Sequence, residues 1–467
     1  MDLDNTFIVP LMKFMDTPIK IDLKRAEADL VESEKILRDY ERKIWELANQ
    51  RFVIHAPAQL ANVLLGMGLD TEKRTKVTLQ MSTDIDDLIP LKGKHDIIAV
   101  VIDYKELLKK RSSYIEPFIN YYDPKIEGFR VSYQAFNVPT GRLSSGLKDK
   151  DKKSVNTFFA GFNIQSIIKT EPKFYTSEKS NEPDAVLGYK FIQDDKGKHE
   201  SWGTHLAPRC YIKPYPGHYV VDFDFSGEEL VIIANLSRDP AYYEPLSKGG
   251  DPHKATAYQM WGKEAYNKER RTVAKECNFG LNYGGYAGTL KGRMPEKSMG
   301  ECQDYYDRWR ITHKVLLAYQ KRRQQESRKL GYFKTRMGRI RRVSPYYSSP
   351  NRKVVSFADR TVSNGEIQGL AGDILRYVMI KIYNCVFCEP SWEAKIRFIA
   401  TLHDEIAFSV DKRPEYLFPI IARITRCFEE LDFLNFDIPL RASNPLLGNT
   451  FGSLFEFENK DGIWQPV

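Results

Sequence analysis

Residues 219–230 read YVVDFDFSGEEL and residues 398–410 read FIATLHDEIAFSV. Both are rich in β-branched and aromatic residues, which favour extended backbone. On a strand, Asp222, Asp224 and Ser226 share one face, and Val221, Phe223 and Phe225 share the other. A core packed on the apolar face would leave Asp224 on the opposite side, at the strand's end. The second stretch has β-rich runs on either side of His403-Asp404-Glu405, which predicts a hairpin with acids at its turn.

Two carboxylates held side by side repel each other. A divalent cation removes that cost, and oxygen ligands suit Mg²⁺. Two such ions, roughly 3.5–4 Å apart, would stabilise the attacking and leaving oxygens of an in-line phosphoryl transfer. Acids at strand ends are also common as plain solvated turn residues, and spacing alone does not make the two strands neighbours.

Between the acidic stretches lies ERRTVAKECNFGLNYGG, residues 269–285. Arg271, Lys275, Phe279 and Tyr283 recur every fourth residue, forming one drifting stripe on a helix. At 1.5 Å per residue it would span about 18 Å, cations first and aromatics after. That order suits a triphosphate at one end and a stacked base at the other. It also suits an ordinary amphipathic helix. Gly284 and Gly285 are expected to end it.

Further out, Leu30, Leu37, Tyr40, Ile44 and Leu47 form a heptad-like seam, predicting a long helix over 22–50. Residues 97–121 give a second helical pattern carrying Lys109, Lys110 and Arg111, and the two could pack as a projecting arm. Residues 146–205 contain Lys148, Lys150, Lys152 and Lys153 and then a polar stretch. They read as loops or an insertion with a small hairpin around Tyr189 to Ile192.

A chain of 467 residues suits two or three units around a continuous core. No run of about 18 apolar residues occurs, so no membrane span is expected, and the N-terminus lacks the pattern of a signal peptide. Lys and Arg total 70 against 62 Asp and Glu, an excess compatible with a polyanionic partner. The six cysteines do not form a disulfide framework pattern, and Cys385 and Cys388 read as reduced thiols rather than half of a zinc site.

Taken together, the three stretches resemble in order and spacing the three polymerase motifs of family A DNA polymerases, the DNA polymerase I class, including bacteriophage and plasmid replicative members. The first is Asp224-Phe225-Ser226-Gly227-Glu228-Glu229-Leu230, with Gly227 where Gln is usual and Phe225 where Tyr is common. The second is Arg271, Lys275, Phe279 and Tyr283-Gly284. The third is Leu402-His403-Asp404-Glu405, with Leu402 where Val is usual. Asp251-Pro252-His253 resembles the start of a fingers helix, and Thr140-Gly141-Arg142-Leu143-Ser144-Ser145 the primer-side element. Asn163-Ile164-Gln165-Ser166-Ile167 resembles the stretch after it, with Ser166 replacing an Asn. Arg360, Asn364 and Gln368-Gly369 resemble the template-contacting helix, and Phe52 to Leu65 with Arg111-Ser112-Ser113-Tyr114 the thumb.

The resemblance implies an α+β right hand with an antiparallel palm sheet, helical fingers and a helical thumb. Its expected parts are a palm-edge segment at 1–21, thumb at 22–121, palm at 122–232 with the insertion 146–205, fingers at 233–350, and palm with the catalytic hairpin at 351–467. It implies template-directed addition of dNTPs to a primer 3′-hydroxyl. Asp224, Asp404 and the Phe225 carbonyl would hold two Mg²⁺ ions, with Mn²⁺ as a substitute, and Glu405 would support the site. Arg271, Lys275 and His253 would bind the triphosphate, Lys275 also serving as general acid. Phe279 would pack on the sugar, Tyr283 would border the template slot, and Glu229 would exclude a ribose 2′-hydroxyl. Arg142, Gln165, Arg360, Asn364, Gln368 and His403 would contact DNA.

The thumb-like pattern begins early, so no proofreading exonuclease domain is expected. A separate exonuclease or processivity subunit stays open as a partner beside primer-template DNA and dNTPs. The expected setting is a cytoplasm, that of a bacterial host if the chain is virus- or plasmid-encoded. Two other readings stand beside this one, a single-subunit RNA polymerase and a catalytically inactive DNA-binding subunit. Glu229 argues against the first, and the retained Asp224, Asp404, Arg271 and Lys275 against the second.

Overall fold

The computed structural model describes residues 3–75, 77–135, 137–138, 140–146, 163–167, 175–179, 186–187, 189–191 and 208–467. The chain opens with helix α1 (Leu3–Asp16), which buries Leu3, Phe7, Leu11 and Phe14 along one helical stripe. Strand β1 (Ile19–Ile21) follows and sits between β2 (Gly128–Phe129) and β3 (Ile212–Lys213) in a small antiparallel sheet.

Helix α2 (Leu23–Ala48) starts at Asp22, whose carboxylate accepts the Arg25 amide at 3.2 Å, and stops at Asn49 in the left-handed region. The heptad seam packs as expected. Leu37 and Ile44 are buried, and Leu30, Tyr40 and Leu47 lie half-buried against the core. Helix α3 (Asp96–Lys110) lies along α2, and its Tyr104 hydroxyl donates to Glu41 at 3.2 Å. The helical stretch expected over 97–121 is not continuous. Arg111–Ile115 widens into a π turn before the short helix Glu116–Asn120. Pro117 has no amide hydrogen for the carbonyl four residues back, and a wider turn absorbs that loss.

In the insertion, Tyr175–Lys179 pairs antiparallel with Tyr189–Phe191, so the hairpin expected near Tyr189 draws its partner from upstream. Ile192 and the lysines at 148, 150, 152 and 153 lie outside the described residues.

The main sheet is built from β4 (His218–Phe223), β5 (Ile396–Leu402), β6 (Glu405–Asp411), β7 (Leu446–Gly448), β8 (Leu454–Lys460) and β9 (Ile463–Pro466). Its order is β5-β6-β4-β7-β8-β9, with every neighbouring pair antiparallel. The tail after Gly448 thus extends the sheet at one edge. The expected division of β4 into an apolar and a polar face needs correction. Residues 220–223 are all buried, Asp222 at 1% exposure, because β4 is an interior strand covered on both faces.

Six further helices bear on the site. They are α4 (Glu228–Ser237), α5 (Pro252–Trp261), α6 (Lys268–Leu281), α7 (Lys314–Leu330), α8 (Arg352–Ile382) and α9 (Pro414–Glu429). Helix α4 buries Leu230, Val231, Ile232, Ile233 and Ala234 in succession, the mark of an interior helix. At 1.5 Å per residue α8 is about 46 Å long. Its C-terminal half is buried and α1 packs against it. Among the described residues, no helix is long and apolar enough to cross a membrane.

Candidate active site

Strand register brings the carboxylates together. Phe223 pairs with Ile406 and Asp222 with Ala407, so Asp224 and Glu405 face each other one step beyond the last pair. Leu402 pairs with Glu405, leaving His403 and Asp404 as the hairpin turn. Asp224 and Asp404 therefore lie at one end of the sheet. His403 takes a left-handed backbone (φ 59°) and is exposed there.

The backbone around Asp224 is held in place. Its carbonyl accepts the Ser443 amide at 2.8 Å, and the Ser226 amide donates to the Arg441 carbonyl at 2.9 Å. Its carboxylate accepts the Phe225 amide at 2.8 Å. None of these bonds engages the Phe225 carbonyl. Burial pushes the Asp404 carboxyl above its usual range. These are hard oxygen donors converging where like charges repel, a donor set that fits divalent cations of the Mg²⁺ class.

Glu405 is 7% exposed and accepts Arg209 Nη1 at 2.7 Å. Arg209 also lies over the Phe451 ring at 4.7 Å. The sequence reading missed Arg209, since nothing local marks a pair 196 residues apart.

Glu229 is gripped from both sides. Arg142 donates to one carboxylate oxygen and the Tyr283 hydroxyl to the other. Burial, then Glu229, push the Tyr283 phenol far above its usual range. Tyr283 is not the fourth member of a helical stripe. Helix α6 ends at Leu281, and Gly284 turns the chain at φ 80°. A Cβ at Gly285 would meet the Gly280 carbonyl oxygen at 2.0 Å, so this turn admits only glycine there. The turn swings the Tyr283 ring inward to Glu229.

The first three stripe residues remain on α6, with Lys275 and Phe279 exposed. Arg271 Nε donates to Asp251 at 2.5 Å. Asp251 also caps α5 through the amides of His253 (2.9 Å) and Lys254 (3.2 Å). Lys275 has no hydrogen bond or ion pair among the described residues. His253 lies 5.6 Å from the Phe279 ring centroid, and its Nδ1 accepts the Asn278 amide at 3.0 Å.

Behind it runs a buried polar chain. Trp309 donates to Asn278 at 2.9 Å, and Asn278 donates to Thr256 at 3.2 Å. His313 meets Thr256 at 3.3 Å and Asp239 at 3.0 Å. Burial depresses the imidazoles of His253 and His313.

A second polar cluster braces the loop carrying Arg142. Asp4 of α1 accepts both terminal nitrogens of Arg339 (3.2 and 3.0 Å) and Nη1 of Arg376 at 2.5 Å. Arg339 Nε donates to Asp373 at 2.6 Å. Arg376, fully buried, donates to the Gly141 carbonyl at 2.7 Å.

The expected DNA-contacting residues are more dispersed. Gln368 reaches Tyr283. Arg360 is exposed, bonds Ser356 at 2.8 Å and packs near Gly284. Asn364 is half-buried on the same helix, one turn before Gln368. Gln165 is 9% exposed in a short 3₁₀ turn, away from open surface.

The model of DNA polymerase family A matches residues 24–149 and 200–451. The unmatched stretch between falls within the expected insertion. The chain is 27% identical to DNA polymerase I of Bacillus subtilis over 453 residues, covering 95% of this chain and 45% of that one. It is 29% identical to DNA polymerase I of Geobacillus stearothermophilus over 404 residues, covering 85% and 40%. It thus spans less than half the length of these curated relatives. A solved structure of the POL domain of Pol1 from M. smegmatis, in complex with DNA primer-template and dNTP, aligns over 95% of this chain and 70% of that one. Its TM-score is 0.75 at 22% identity, which establishes a shared fold.

Proposed function

The chain belongs to DNA polymerase family A, and from that premise we propose that it is a template-directed DNA polymerase, adding dNTPs to the 3′-hydroxyl of a primer. The observation that carries this reading is the meeting of Asp224 and Asp404 at one end of the main sheet, with Arg271 and Lys275 on the helix that leads into the turn carrying Tyr283 to Glu229. Two acids and two bases in that relation suit a reaction in which phosphate charge must be held and moved.

Asp224, Asp404 and the Phe225 carbonyl would hold divalent cations, Mg²⁺ with Mn²⁺ as a substitute. When bound, these ions neutralise charge on the attacking and leaving oxygens. The residues supply the rest. Arg271 arrives already oriented by Asp251, and its guanidinium suits bidentate grip of a phosphate. Lys275 is free to bind the triphosphate and to give a proton to the departing pyrophosphate. His253, fixed through Nδ1, can present its other ring nitrogen to the same group.

Glu229, held by Arg142 and Tyr283, would close the space beside the sugar's 2′-carbon, and Phe279 would pack on the sugar. Glu405 is held in place by Arg209, consistent with support of the acidic hairpin rather than direct chemistry. In this reading residues 22–121 serve as thumb and 233–350 as fingers. Sequence choice is left to base pairing, so protein contacts to DNA are mainly to phosphate and sugar, and the proposed setting is a cytoplasm.

The test is extension of a recessed, 5′-labelled primer in Mg²⁺ with all four dNTPs, all four rNTPs or no nucleotide. Template-length product with dNTPs alone is expected. Asp404→Ala should abolish extension while the duplex still binds. Extension retained in that variant would overturn the metal-ligand assignment. Equal use of rNTPs would favour an RNA polymerase.

A further inference from the structure

Trp309, on the helix Met299–Thr312, is buried, and its indole Nε1 lies 2.9 Å from Asn278 Oδ1. An indole nitrogen can only donate, so the Asn278 oxygen is the acceptor and the amide cannot be turned round. The amide nitrogen then faces Thr256 Oγ1 at 3.2 Å and His253 Nδ1 at 3.0 Å. An NH₂ group brings only hydrogens. His253 Nδ1 is therefore the bare, accepting nitrogen, and in a neutral ring the proton sits on Nε2.

The far end of the polar chain agrees. Asp239 accepts from His313 Nδ1 at 3.0 Å and, on its other oxygen, from the Leu316 amide at 3.0 Å. Burial disfavours a charge on His313, so its Nε2 accepts the Thr256 hydroxyl hydrogen, 3.3 Å away. Thr256 then has only lone pairs left for Asn278, which again makes the Asn278 nitrogen the donor. Asn278, Thr256, His313 and Asp239 are all fully buried, so bulk water offers no substitute for these bonds.

His253 itself is half-buried, and its Nε2 meets no hydrogen-bond partner among the described residues. The ring lies 5.6 Å from that of Phe279 on α6, the helix that carries Arg271 and Lys275. Burial disfavours a charge on the ring, as do Arg271 and Lys275, against Asp251 and Glu276. A second proton, at Nδ1, would also point at the Asn278 hydrogens.

We propose that Trp309 and Asn278 are positioning residues that hold His253 as its Nε2–H tautomer, so that it meets an incoming triphosphate as an uncharged hydrogen-bond donor. The proposal rests on the reading of His253 as a triphosphate-binding residue, and adds its chemical form and its two supports. The competing account is a buried network that only holds helices together.

The full chain labelled with ¹⁵N-histidine, free of DNA and nucleotide, reports the tautomer through its imidazole nitrogen shifts. The His253 signals are those missing from His253→Gln. At about pH 8, above the ordinary histidine range, the wild type should show Nε2–H. Asn278→Asp keeps the shape and turns the donor into an acceptor, so Nδ1–H is expected there, with Nε2 bare. Its Tm checks that it folds. Its dNTP Kd, from single-turnover incorporation, should be about 10–100-fold weaker than wild type at that pH, the worth of a hydrogen bond to a charged group. The ratio of the two Kd values should shrink toward about pH 6, where the variant's ring gains a second proton and donates from Nε2 again.

An Nδ1–H signal in the wild type overturns the proposal, and that measurement needs no Asn278 variant to fold. A loss in Asn278→Asp that acid does not relieve also overturns it, in favour of a purely structural network. The expected tautomers with an unchanged dNTP Kd in His253→Gln would overturn the triphosphate reading on which the proposal rests.

Discussion

The Tyr283 hydroxyl donates to the same Glu229 carboxylate that Arg142 holds from the other side. A side chain fixed at both oxygens cannot swing aside, so in the proposed reading the two donors set how firmly the sugar gate stays shut. Glu229→Ala should admit ribonucleotides readily. Tyr283→Phe removes one donor and keeps the ring, and should relax discrimination by roughly tenfold, the worth of one hydrogen bond to a charged group. The ratio of kcat/KM for a matched dNTP and rNTP measures both. An unchanged ratio in Glu229→Ala would place the gate elsewhere.

Lys275 is exposed and without a partner among the described residues, whereas Arg271 is already paired with Asp251. Lys275→Ala should therefore disturb no folded contact and still lower kcat/KM for dNTP by about 100-fold or more, typical for losing one charge-stabilising donor. The Kd for primer-template should hardly move. A parallel loss of DNA affinity would mean that the lysine grips the duplex instead.

Arg209 and Glu405 form a buried pair, with side chains 6% and 9% exposed. Arg209→Met would strand Glu405 without a countercharge, and breaking such a pair costs about 3–5 kcal/mol. Denaturant unfolding should show that loss, and adding Glu405→Gln should recover part of it. Strictly additive losses in the double variant would mean that the two residues do not interact.

His313 is fully buried between Asp239 and Thr256, and burial holds its imidazole below the ordinary range. The unfolded chain then takes up the proton first as pH falls through about 6.5, so His313 contributes stability at neutral pH that is lost on acidification. The stability advantage of the wild type over His313→Gln should shrink between pH 7.5 and 5.5. An advantage that grows in acid would mean that the ring is protonated in the folded chain.

Much of this was legible locally. The seam from Leu30 to Leu47 fixed a long helix, and alternation around His403-Asp404-Glu405 fixed a hairpin, because both signals repeat within a few residues. The meeting of Asp224 and Asp404 at one end of the sheet follows from strand register, because strand ends carry their acids predictably once register is set. What escaped notice were partners far apart in the chain. Arg209 with Glu405, and Asp4 with Arg339 and Arg376, have no local periodicity. Tyr283 fitted a four-residue rhythm that the chain abandons after Leu281, where Gly284 and Gly285 permit a turn too tight for other residues. The burial of Asp222 was not legible for a related reason, since alternation does not reveal that a strand is covered on both sides.

The first helix has a practical consequence. The family match begins at residue 24, yet Asp4 faces Arg339 and Arg376, and Arg376 holds the carbonyl just before Arg142. A chain shortened to the matched boundary would leave a fully buried guanidinium short of its anion, immediately behind the arginine that holds Glu229. The segment that braces Arg142 therefore starts upstream of where kinship by sequence begins, and in the proposed reading an extension fused to the amino terminus would bear on substrate choice as much as on folding.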